Sequence, residues 1–224
     1  MADIIKEGIK VLLVDDHTLV RQGVRALLEA SGGFIVVGEA ENGREAVRKA
    51  AELAPDVVLM DVAMPILNGV EAARQIKNAT PRVMIIALSM HSDEEYVFQI
   101  LKAGASGYIL KDSTAADLAA AIRSVYGGNP YFSPVISRKI MDSYLNESQE
   151  AKPGAGDDRL TGREKETLQL IAEGYTNNEA AKLMNISVKT VETHRANIMS
   201  KLDIHDVAGL IKYAIRKGLV VVDR

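Results

Sequence analysis

From residue 9 to about residue 125 the chain alternates short apolar runs, rich in β-branched residues, with helical patterns, and few folds accept that alternation. The runs are "IKVLLVDD" (9–16), "FIVVGEA" (34–40), "DVVLMD" (56–61), "VMIIALS" (83–89) and "SGYILKD" (106–112). Between them, Val20, Val24, Leu27 and Leu28 mark one helical face, and "NGREAVRKAAELAP", "NGVEAARQI" and "SDEEYVFQILKAG" supply three more helices. A fifth, "STAADLAAAIRSVYGG", places Leu118, Ala121, Ile122 and Val125 on one side and stops at Gly127 and Gly128. Five such units predict a doubly wound, five-stranded parallel sheet covered on both faces, over residues 1–127.

With 224 residues the chain has room for a second domain. Residues 129–145 read as a helix with Ser133 as N-cap and Pro134 at the first helical position. The stretch "ESQEAKPGAGDD" (147–158) has no apolar residue larger than alanine and reads as a flexible linker, so 128–157 forms a connection. Residues 158–224 are helical in four pieces. "TGRE" (161–164) is a capping box for a helix running to Gly174, a short helix spans 177–184, Ser187 caps one reaching Leu202, and the last runs from about 206 to 217.

Composition removes several classes. No apolar run reaches the ~18 to 20 residues of a membrane span, and "MADIIKEGIK" lacks a signal-peptide pattern, so the cytoplasm is expected. Zero cysteines exclude disulfides, thiolate metal sites and cysteine nucleophiles. Residues 157–224 carry 11 Lys and Arg against 10 Asp and Glu, and 187–217 carry 6 against 3. That excess is too small for charge alone to suggest nucleic acid.

In a doubly wound sheet, ligands bind at the carboxyl ends of the strands. Those ends read Asp15 and Asp16, Asp61, Ser89 and Lys111. An acid at a strand end is commonly a helix cap or a solvated turn, and a serine or lysine there is as ordinary; the joint arrangement on successive strands is what decides. Three close carboxylates stay ionised at neutral pH only with a cation among them, and oxygen-only ligands favour a hard divalent ion such as Mg²⁺. A carboxylate so placed can act as the nucleophile that forms an aspartyl phosphate, with metal and lysine neutralising charge. No catalytic histidine and no glycine-rich phosphate loop completes the set.

The motifs "VLLVDD", "DVVLMDVAMPILNG", "IIALS" and "AGASGYILKD" together resemble a response-regulator receiver domain, of flavodoxin-like fold, over roughly residues 8–127. The resemblance implies that Asp61 is phosphorylated by a histidine-kinase partner, with no enzymatic activity beyond Mg²⁺-dependent gain and loss of that group. It implies that Asp15 and Asp16 hold Mg²⁺ together with Asp61 and the backbone carbonyl of Ala63, and that Lys111 binds the phosphoryl oxygens. Ser89 would hydrogen-bond the phosphoryl group, letting Tyr108 turn inward. Asp112 stands where many receivers have a proline after a cis bond, which leaves the isomer at 111–112 open.

The segment "TNNEAAKLMNISVKTVETHRANIMSKL" (176–202) reads as a helix-turn-helix. Val188, Val191, Ile198 and Leu202 share one face of its second helix, with Lys189, Glu192, Thr193, Ala196, Asn197 and Ser200 opposite. Arg195 falls on the inner side, where Glu179 or Glu164 could pair with it. A helical packing module without DNA would have the same shape. The stretch 160–202 resembles the DNA-binding domain of LuxR-type regulators and, joined to a receiver, is similar to the NarL/FixJ group of response regulators. That resemblance implies double-stranded DNA as partner, phosphate contacts from Lys189, Thr190, His194 and Lys201, and base contacts from Glu192, Thr193 and Ala196 or Asn197. Asn178 stands where the family commonly has a basic residue. In the family the last helix pairs two such domains, implying a homodimer on phosphorylation; Leu210, Tyr213 and Ala214 on it are equally readable as core.

Two rivals are weaker. A haloacid-dehalogenase-like phosphatase would carry a second acid two residues after its nucleophile, and position 63 is alanine. A sensor of a small autoinducer would need an apolar pocket, and these strand ends are acidic.

Overall fold

The strands of the computed structural model, which describes residues 8–90, 94–147 and 159–220, lie in one parallel sheet of order β2-β1-β3-β4-β5-β6. They are β1 (Ile9–Val14), β2 (Phe34–Ala40), β3 (Val57–Asp61), β4 (Met84–Ser89), β5 (Gly107–Leu110) and β6 (Tyr131–Phe132). Helices α1 (Thr18–Ser31), α2 (Gly43–Leu53), α3 (Gly69–Ala79), α4 (Glu94–Lys102), α5 (Ala115–Tyr126) and α6 (Pro134–Glu147) connect and cover them.

Alternation within each strand builds two cores. Leu12, Val14, Val58 and Met60 point into one, with Ala72, Ile76 and Ile100 from the helices; Val11, Leu13, Val57 and Leu59 point into the other, with Leu28, Leu118 and Ile122. Side chains buried on both faces are what a parallel sheet between two helix layers requires. β1 pairs with both β2 and β3, so the order reverses beside β1, between the carboxyl ends of β1 and β3.

The sheet has six strands where the sequence predicts five. β6 is two residues long and pairs parallel with β5, and Ile136 of α6 is buried in the core, so receiver packing runs past residue 127. The Ser133 hydroxyl is buried without a hydrogen bond; its carbonyl, not its side chain, accepts from Ser137 N at 2.9 Å at the start of α6. Of the linker expected at 147–158, all but Glu147 lies outside the described residues.

Beyond it come α7 (Gly162–Ala172), α8 (Asn177–Met184), α9 (Val188–Leu202) and α10 (Val207–Arg216). Thr161 and Glu164 form the expected capping box, Thr176 and Glu179 form another, and Ser187 caps α9. Leu160, Leu168, Ile198, Leu210, Tyr213 and Ala214 pack as one cluster; Leu170, Ala180, Ala181, Met184 and Val191 form a second. Leu210, Tyr213 and Ala214 are therefore intradomain core.

Candidate phosphoacceptor site and DNA-facing helix

Asp15 and Asp61 leave the ends of the adjacent strands β1 and β3, and both are 3% exposed. Lys111, after β5, reaches across: its Nζ donates to Asp61 Oδ2 at 2.7 Å and lies 2.6 Å from Asp15 Oδ2. That second contact pairs Asp15 with the same ammonium. Asp16 Oδ1 is buried, with His17 Nδ1 3.0 Å away. Acidic oxygens gathered this closely, within 4.8 Å of one another, are suited to a cation.

Local geometry explains the motif around Asp61. The Ala63 amide points at Asp61 Oδ1 at a long 3.4 Å, and the chain turns back so that Gly69 N donates to Val62 O at 2.9 Å. A Cβ at Gly69 would overlap the Asp61 carbonyl oxygen, so the residue opening α3 must be glycine. Ser89 is buried at the end of β4, where its carbonyl accepts from Lys111 N at 2.9 Å. Tyr108 is already fully buried within the core. The Lys111–Asp112 bond is trans.

Burial pushes the Asp61 carboxyl up to about 6; Lys111 opposes the rise and the Asp15 charge adds to it. Burial alone would lower the pKa of Lys111, but the Asp61 and Asp15 carboxylates outweigh it and hold the ammonium above the ordinary lysine value.

His17, which the sequence did not single out, lies against the acidic cluster. Its Nδ1 lies 3.2 Å from Asp15 Oδ1 and 3.0 Å from Asp16 Oδ1, and donor atoms of Asp15, Asp16, His17 and Asp61 all fall within 4.8 Å of one another. Buried Arg21 was also missed: it donates to the Asp15 carbonyl at 2.7 Å while pairing with Glu39 and Glu41. Their positions just after "VDD" were the available signal; their contacts are not readable from spacing.

On α9, Val191 and Ile198 are fully buried and Val188 and Leu202 partly so. Lys189, Glu192, Thr193, Ala196, Asn197 and Ser200 are exposed on the opposite face, as expected, and Thr190 and His194 are half-buried beside it. Arg195 pairs with neither glutamate named for it: Glu179 caps its own helix, and Glu164 is held by Lys201 at 2.7 and 2.8 Å.

The two halves touch at α7, beside the acceptor edge. Gln169 Nε2 donates to Met64 O at 2.9 Å, Asn68 N donates to Gln169 Oε1 at 2.9 Å, and Ile66 N donates to Glu173 at 3.1 and 3.2 Å. Glu166 pairs with Arg44 of α2. The end of α10 meets α4, where Gln99 donates to the Lys217 carbonyl at 3.3 Å.

Residues 11–123 match the response regulator receiver domain, and residues 158–214 match the bacterial regulatory proteins of the luxR family. The chain belongs to the response regulators. It is 43% identical to the transcriptional regulatory protein LiaR of Bacillus subtilis over 212 residues, 95% of this chain and 99% of that one. Among solved structures it is similar to the RcsB response regulator of Salmonella typhimurium (TM-score 0.57, 29% identity, 92% of this chain and 98% of that one). It is also similar to RcsB in a complex with DNA (TM-score 0.56, 28% identity, 92% of this chain and 97% of that one).

This response regulator, of the NarL/FixJ group, joins a receiver to a LuxR-type helix-turn-helix. It is a DNA-binding transcription regulator of a two-component system, with a sensor kinase and double-stranded DNA as its partners. The phosphatase alternative has no support. Among the described residues no helix is long and apolar enough to cross a membrane.

Proposed function

We propose that the acidic edge is a Mg²⁺-dependent phosphoacceptor site in which Asp15, Asp16, Asp61 and the Ala63 carbonyl hold the cation. The observation that carries this reading is that Lys111 Nζ lies within 2.7 Å of both Asp61 and Asp15 at the topological switch of the sheet, with donor atoms of Asp15, Asp16 and Asp61 within 4.8 Å of one another. Bound Mg²⁺ supplies positive charge that favours ionised Asp61 and offsets charge on the transferring group. Asp61 then offers a carboxylate oxygen to phosphorus; an O–P bond forms as the P–N bond of the kinase phosphohistidine breaks. Lys111 moves its hydrogen bond from the carboxylate to a phosphoryl oxygen, and the Ser89 hydroxyl takes another. Tyr108, packed beneath this edge, carries the change toward the receiver surface.

On DNA, Lys189, Thr190, His194 and Lys201 serve phosphates, while Glu192, Thr193 and Ala196 or Asn197 meet base edges. In this reading residues 1–127 are the receiver, 128–157 the connection whose first part adds β6 and α6 to it, and 158–224 the DNA-binding domain. A protein that meets both a kinase and promoter DNA works in the cytoplasm.

The test is incubation with acetyl phosphate and Mg²⁺ followed by mass spectrometry. The wild type gains one phosphoryl group, on Asp61, and Asp61→Asn gains none. A group found on another residue overturns the assignment.

A further inference from the structure

Among the described residues Arg21, near the start of α1, is the one buried basic residue, at 5% exposed. A guanidinium is kept out of water only where its N–H groups are paired. Arg21 spreads them over three partners: Nη1 donates to the Asp15 carbonyl at 2.7 Å, Nη2 to Glu41 Oε1 at 2.6 Å and Nε to Glu39 Oε2 at 3.2 Å. The two glutamates lie at the end of β2 and just past it, and the carbonyl at the end of β1. A planar fork of fixed donors can span such a set, and the compact ammonium of a lysine could not.

The carbonyl that Arg21 takes lies where the sheet stops. β1 pairs with β2 and β3 as far as Val14, and the Asp15 amide still donates to Ala40 O at 3.1 Å, but there the chain leaves for α1. The peptide plane that follows is rigid and has Asp15 at one end and Asp16 at the other, so its rotation sets the direction in which both carboxylates leave the chain. Holding its carbonyl therefore holds two side chains at once. His17 N donates to Asp15 Oδ1 at 2.8 Å, a local turn that fixes the first carboxylate and not the second. Arg25, one turn further along α1, pairs with Glu39 Oε1 at 2.7 Å and ties the helix to β2 in the same way, with no bond to either aspartate among the described residues.

We propose that Arg21 is a positioning residue for the acidic site: by clamping the Asp15 carbonyl it keeps Asp15 and Asp16 aimed at the cation, while Glu39 and Glu41 hold the clamp. The inference rests on the Mg²⁺ and Asp61 roles given above. Arg21 acts through the backbone and not on the reacting atoms. Its loss therefore lowers the affinity for Mg²⁺ and leaves Asp61 and Lys111 able to act once the metal is bound.

The experiment uses the full chain with MgCl₂ alone, followed by calorimetry, and then with acetyl phosphate. Arg21→Met binds Mg²⁺ about ten-fold or more weaker, and its slowed phosphorylation recovers toward the wild-type rate as MgCl₂ is raised. Arg25→Met breaks the neighbouring tie between α1 and β2 and keeps the wild-type Mg²⁺ affinity, which a general loss of packing would not allow. Melting temperature shows whether Arg21→Met keeps its fold. If it does not, Glu41→Ala carries the test: that side chain is largely exposed, and losing its carboxylate loosens the guanidinium and weakens Mg²⁺ binding by a smaller factor. Mg²⁺ affinity unchanged in the variant that carries the test, or lowered equally in Arg25→Met, overturns the proposal while leaving the site intact. A wild type that neither binds Mg²⁺ nor gains a group on Asp61 overturns the underlying reading instead.

Discussion

Lys201 holds both carboxylate oxygens of Glu164, at 2.8 and 2.7 Å, and Glu164 is at the same time the capping-box partner of Thr161. Burial would raise the Glu164 pKa, but Lys201 and the Thr161 contacts prevail and hold it below the usual glutamate value. A depressed carboxyl contributes stability above its unfolded pKa and loses it as pH falls. Lys201→Met leaves Glu164 Oε1 without its partner and should cost about 1 to 3 kcal/mol at pH 7. In urea melts, the gap from wild type should narrow as pH falls below the ordinary glutamate value; a gap constant with pH would show that the pair is not its source.

For Asp61 the sign is the opposite. Its folded pKa of about 6 exceeds the ordinary 3.8, so without metal the stability it contributes is complete below about 4 and is lost as pH rises to about 6. That loss is of order 3 kcal/mol. Mg²⁺ binds the ionised form, so it should raise the melting temperature clearly at pH 7.5 and little at pH 5. Asp61→Asn should abolish this pH dependence. Equal Mg²⁺ shifts at the two pH values would contradict the assignment.

Asp16→Ala should lose the Mg²⁺ dependence of phosphorylation along with most of the rate. Its place within 4.8 Å of the Asp15 and Asp61 donor atoms motivates the expectation. Unchanged kinetics would remove Asp16 from the site.

The Thr193 hydroxyl is exposed and donates to Lys189 O at 2.9 Å, which leaves its lone pairs free to accept from a base edge. Thr193→Ala should cost about 1 to 3 kcal/mol at the cognate site and little on random DNA. Equal weakening on both would mark a backbone contact.

Much of this was legible because local rules act locally. The β1, β3 and β4 runs, the Thr161 capping box and the apolar face of α9 carry their periodicity in adjacent residues. β6, two residues long, shows no period at all. The roles of His17 and Arg21 depend on a sheet edge assembled from three strands, which spacing along the chain does not encode. Nothing in the sequence around Glu166, Gln169 and Glu173 marks them as buried, because the surface that covers them lies about 100 residues away. Leu210, Tyr213 and Ala214 had the spacing of core and of interface alike, and only the packing of Leu160 and Ile198 against them separated the two.

The open outer face of α9 has a kinetic consequence. Because the receiver grips α7 and leaves that face uncovered, the unphosphorylated chain should meet DNA as fast as the phosphorylated one. Its association rate should then be set by the basic residues it presents and by salt. On the proposed function, phosphorylation should therefore act on dwell time: pairing two chains on a two-fold site would slow departure, while the search along the genome proceeds at the same pace in both states.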